Sequence, residues 1–140
     1  MVHWVLRGAL LLWALFFAIV GLRGIFDPAS FTELFGIIAE GAAANTVRAD
    51  LSAFFLVAAA GAAVGALVPG WSRALLAPAA LYGTALIGRL IGIGSGDTVN
   101  AGIIQAMIIE ALSTGLMVAS WWVLSRPAPT ASGVPVDTVH

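Results

Sequence analysis

Two opposite charges lie inside long apolar runs: Arg89 within residues 74–96 and Glu110 within residues 101–120. An ionisable side chain at the centre of a bilayer costs about 2.5–3.5 kcal/mol on insertion scales, so it persists where it is paired, wetted or used. On neighbouring helices each group is the other's most economical partner. The pair then either holds two helices in register or supplies the polar part of a pocket. Tyr82 stands seven residues before Arg89 and shares its helical face. Ala106, Glu110, Ser113, Thr114 and Met117 form a stripe at helical spacing, the only polar stripe in the chain at membrane depth. Arg48 and Asp50 open the preceding apolar run on the same side of the membrane. The expected site is therefore Arg48, Asp50, Tyr82, Arg89, Glu110, Ser113 and Thr114, a polar pocket open to one membrane face with Glu110 at its floor. Left without a cation, the Glu110 carboxyl would instead keep a proton and hydrogen-bond to Ser113, Thr114 or Tyr82.

Other chemistries find no footing in the sequence. With no cysteine there is no thiolate nucleophile, disulfide, zinc–thiolate site or iron–sulfur cluster. His3 falls at a predicted helix end and His140 closes the tail, so neither forms a catalytic or metal-binding pair. No catalytic residue, metal ligand or cofactor is assigned, and the expected protein is not an enzyme. The six basic residues, all arginine, nearly balance seven acids, which leaves no basic footprint for nucleic acid.

The elements that must position these groups follow from hydropathy. Of the 140 residues 61% are hydrophobic and 9% charged, too few charges to cover a soluble fold, where about a quarter is usual. Four spans are expected, at about residues 2–26, 45–68, 72–94 and 100–125. The first could pass for a signal peptide, but Ala18-Ile19-Val20 is a poor cleavage triplet and the run ends at Arg23, so a retained helix is expected. Asp27-Pro28, with Ser30-x-x-Glu33 as an alternative capping box, starts a short amphipathic helix to about residue 40. Its Phe31, Leu34, Phe35 and Ile38 share one face, and it is too short to span, so it should lie in the interface.

The second span carries Gly61-x-x-x-Gly65 in a run of alanines, a surface for close helix approach or for dimerisation. Pro78 is expected to bend the third span if that helix starts before Arg73. Asp97 or Asn100 is available to cap the fourth span, and Trp121, Trp122 and Arg126 mark its exit. Residues 127–140 cannot bury a core and read as a disordered tail. The fold class is thus an all-α membrane protein: four transmembrane helices in one bundle, with a short interfacial helix between the first two. Arg7, Arg73 and Arg126 fall on the side of the termini against Arg23 and Arg48 opposite, which places both termini in the cytoplasm.

The run Asn45-Thr-Val-Arg48-Ala-Asp50-Leu-Ser-Ala-Phe54, then Gly88-Arg89-Leu-Ile-Gly92 with Gly96-Asp97, then Glu110, resembles the small bacterial four-span membrane proteins catalogued as domain of unknown function 4345. The resemblance covers about residues 6–126. It implies four helices in a bacterial inner membrane with no established activity, and it marks Arg48, Arg89 and Glu110 as motif positions. Two functions are then expected to compete. One is a non-catalytic accessory or scaffold subunit that meets a membrane-protein partner, or a second copy, through its small-residue faces. The other is binding or transport of a small hydrophobic or amphipathic molecule at Arg89 and Glu110.

Overall fold

The computed structural model describes residues 1–33, 38 and 40–126. Leu34 and Phe35 of the expected amphipathic stripe, and the tail 127–140, lie outside the described residues. The described chain is helical: α1 (Val2–Phe26), α2 (Pro28–Glu33), α3 (Ala42–Thr46), a π turn (Val47–Leu51), α4 (Ser52–Leu67), a 3-10 turn (Ser72–Leu75), α5 (Leu76–Gly94) and α6 (Ala101–Leu124). Four helical stretches are long and apolar enough to cross a membrane: Val2–Phe26, Ala42–Leu67, Ser72–Gly94 and Ala101–Leu124. Large apolar side chains such as Leu12, Phe16, Ile87, Leu90, Ile108 and Leu112 remain exposed along them, as a lipid-facing surface requires.

Between helices in lipid there is no hydrophobic driving force, so close van der Waals packing must hold the bundle. The strongest contact is α1 along α4, followed by α5 along α6, with α4, the 3-10 turn and α5 joining the two pairs. Missing side chains make the first contact possible. A Cβ on Gly21 would stand 2.8 Å from Leu56 Cγ, and one on Gly24 would collide with the Ser52 hydroxyl. The Gly61-x-x-x-Gly65 surface is consumed inside the chain, Gly61 against Pro78 and the Ala74 carbonyl, Gly65 against Leu75. Buried Ala58, Ala59, Ala62 and Ala66 complete this thin face of α4.

Local chemistry sets the ends of the elements. Asp27, not Ser30, starts α2, because its Oδ1 accepts from the Ser30 amide at 3.2 Å. Hydrogen bonding from the Ser30 side chain and amide holds the Asp27 carboxyl below the usual aspartate range. Pro78 does not fall deep inside an α-helix here. The preceding turn is 3-10, α5 begins at Leu76, and proline falls in the first α-helical turn, where its missing N–H is not needed. Asn100 rather than Asp97 caps α6, accepting from the Ile103 amide at 2.9 Å.

Above the alanine face the core is aromatic. The Tyr82 ring meets Trp13, Phe17 and Phe54 with centroids 5.3, 5.2 and 5.2 Å away, which ties α5 to α1 and α4. Phe17 stacks on Phe55 at 5.7 Å, and fully buried Phe31 of α2 meets the edge of Phe55 at 5.8 Å. The helix after the first span therefore plugs one end of the bundle with its phenylalanine.

Candidate functional site

Glu110 sits midway along α6 on its buried stripe with Ser113, Met117 and Ser120, and is 7% exposed. Its Oε1 accepts from Arg89 Nε at 2.8 Å, across the α5–α6 contact. The expected pair of opposite charges is present, and it is held by one nitrogen on the Nε side of the guanidinium. Only Nε of the guanidinium is engaged; the two terminal nitrogens have no partner among the described residues and are not enclosed. Arg89 keeps 31% of its side chain exposed. The arginine thus hangs by one nitrogen from a buried carboxylate and presents its other donors outward.

Arg89 is one of the residues that line a cavity of about 340 Å³, with Ala85, Gly88, Gly92, Ile93, Asp97, Thr98 and Ile103. The way α5 ends shapes it. The Asp97 amide donates to Gly92 O at 3.0 Å and the Gly96 amide to Ile93 O at 3.1 Å, with Gly96 at φ +93. This paired closure is the Schellman motif, and its left-handed residue favours glycine. It folds the chain back over the last turn, where the Asp97 carboxylate rests on Gly92; a Cβ there would stand 2.5 Å from Asp97 Oδ2. Two glycines therefore carry an acidic side chain to the rim of the cavity that Arg89 enters.

The other expected site residues are distributed differently. Ser113 faces α1, where its Oγ accepts from Trp13 Nε1 at 2.9 Å. Tyr82 is 2% exposed within the aromatic core, and its hydroxyl, like Thr114 Oγ1 and Glu110 Oε2, is buried with no hydrogen-bond partner among the described residues. Arg48 and Asp50 lie in the π turn, which packs on α1, α3 and α4. Arg48 Nε donates to the Ile25 carbonyl at 3.1 Å, so its charge serves the last turn of α1, where a cation suits the helix dipole. Asp50 is exposed beside it.

Of the seven expected residues only Arg89 lines the cavity: Arg48, Asp50, Tyr82, Ser113 and Thr114 lie elsewhere, and Glu110 stands behind Arg89 rather than at the cavity's floor. Asp97 and Thr98 line it instead. The sequence offered Asp97 as a helix cap and within the Gly96-Asp97 pair of the resemblance, not as a cavity residue; the signal for its true place was Gly96 four residues after Gly92, with the acid directly following. No protein-family model, no curated protein and no solved structure matches this chain.

Proposed function

We propose that this is a non-catalytic protein of a bacterial inner membrane, both termini cytoplasmic, that binds a small amphipathic molecule at the Arg89 cavity. The observation that carries the reading is the single-nitrogen ion pair through Arg89 Nε. A purely structural pair would gain most from a two-nitrogen fork on the carboxylate, whereas here one nitrogen holds the arginine and leaves the terminal pair free on a residue that lines a cavity with apolar walls. Polar donors at one point of an otherwise apolar concavity suit a ligand with a polar head and an apolar body. Membership of the four-span family belongs to the same proposal. Of the three positions it marks, Arg89 and Glu110 serve the site and Arg48 serves the fold.

The rival reading is an accessory subunit, which would meet its partner or a second copy at small residues left facing outward, Gly88 on α5 and Gly115 on α6. Gentle detergent extraction followed by mass analysis of everything bound separates the two. The expected result is a retained small amphiphile that falls about tenfold in Arg89→Gln, the loss of one charge-assisted hydrogen-bonding group. A stoichiometric protein partner with no retained small molecule would overturn the binding reading in favour of the subunit.

A further inference from the structure

The charges on the cavity are not balanced, and the imbalance selects a ligand. Arg89 is neutralised by Glu110 through the 2.8 Å ion pair, yet its terminal nitrogens still offer hydrogen bonds to an acceptor. Asp97, exposed and also lining the cavity, adds a carboxylate that makes no ion pair among the described residues. With Glu110 standing behind, the site sums to one negative charge, so a simple anion is disfavoured by Coulomb repulsion. A simple cation would leave the guanidinium donors unused. The molecule that satisfies both side chains carries an acceptor anion for Arg89 and a cation for Asp97.

Position narrows this further. Arg89 is five residues inside the end of α5 at Gly94, about 8 Å at helical rise, and Asp97 and Thr98 lie in the connection beyond that end. The cavity therefore straddles the boundary of the spanning segment, the depth at which phospholipid headgroups lie. Its apolar walls, Ala85, Ile93 and Ile103, adjoin exposed Leu90 and Ile104 on the lipid-facing surfaces of α5 and α6, along which acyl chains would run. The cationic end is decided by what the walls lack. Quaternary ammonium groups are recognised by aromatic cages, and none of the lining residues is aromatic. A carboxylate and a hydroxyl, Asp97 and Thr98, accept N–H donors from a primary ammonium.

We infer that the Arg89–Asp97 cavity holds the headgroup of an amino-phospholipid, phosphate on the Arg89 terminal nitrogens and primary ammonium on Asp97 and Thr98. This rests on the amphiphile-binding reading above and names the class of its ligand. The test is native mass spectrometry of the delipidated full chain. It is offered equal amounts of phosphatidylethanolamine, phosphatidylcholine and phosphatidylglycerol with identical acyl chains.

Phosphatidylethanolamine should be retained about tenfold over the other two. Asp97→Asn, outside the bundle and with its backbone hydrogen bond intact, should abolish the preference over phosphatidylcholine while overall retention persists. Arg89→Lys, which keeps the charge but loses the free fork, should weaken all three. Equal retention of the ethanolamine and choline lipids, a preference for the glycerol lipid, or an unchanged preference in Asp97→Asn overturns the headgroup assignment while Arg89-dependent binding stands. Retention indifferent to both Arg89→Lys and Arg89→Gln overturns the amphiphile reading itself.

Discussion

Arg89 has five N–H donors and Glu110 takes one of them, so the energetics of the pair differ between its two halves. Removing one partner of a fully buried pair costs about 3–5 kcal/mol; here Arg89 keeps 31% of its side chain open and can turn to water or headgroups, while Glu110 cannot move. Arg89→Met and Glu110→Leu should each destabilise the chain, and the double variant should recover most of the combined loss. The coupling, read from thermal unfolding in nanodiscs, should be about 1–3 kcal/mol. Strictly additive losses would mean that the two side chains do not meet in the bilayer. This pair was legible because an ionisable group in an apolar run has few ways to exist. Tyr82 was expected on the face of α5 that carries Arg89, but seven residues is about 10 Å along the axis, and its ring packs in the core with Trp13 and Phe17 while Arg89 pairs with α6.

Elements in this bundle meet where side chains are absent, and the structure divides the glycines into two groups. Gly65 has Leu75 Cγ 2.6 Å and Leu75 N 3.3 Å from where a Cβ would stand, and Leu75 is fully buried. Gly65→Ala must push α4 from the 3-10 turn and should cost about 1–3 kcal/mol, as overpacking does. Gly115 on α6 has nothing within 4 Å, and Gly115→Ala should be neutral or stabilising by up to about 1 kcal/mol from helix propensity alone. Unfolding of the two variants side by side measures this, and equal effects would show that α4 and the turn are not in contact. The paired glycines of α4 announced a close approach, but not which neighbour would take it. The π turn at Val47–Leu51 gave no sequence sign; at its end Ser52 Oγ donates to the Val47 carbonyl at 3.3 Å while packed against Gly24 of another helix, a contact that spacing along one helix does not announce.

For the whole molecule, the order of spans puts residues 1, 70 and 125 at one end of the bundle and residues 40 and 95 at the other. The chain has no cysteine, so single cysteines introduced at exposed Gly70, Ser125, Glu40 and Ser95 report sidedness without background. With a membrane-impermeant thiol reagent on intact cells, positions 40 and 95 should react and positions 70 and 125 only after permeabilisation. A reactive pair drawn from opposite groups would break the four-span threading, and the mirror pattern would reverse the proposed orientation.

Hydropathy, charge scarcity and helix-end residues determined by themselves how many times the chain crosses, roughly where, and which two charges had to find each other, because each is a cost that sequence alone imposes in lipid. The tertiary structure decided the direction in which each charge acts: Arg48 back onto α1, Arg89 outward from Glu110, Asp97 over Gly92. Those directions come from contacts between residues more than twenty positions apart, or from a single left-handed glycine. Periodicity along one helix carries no information about either.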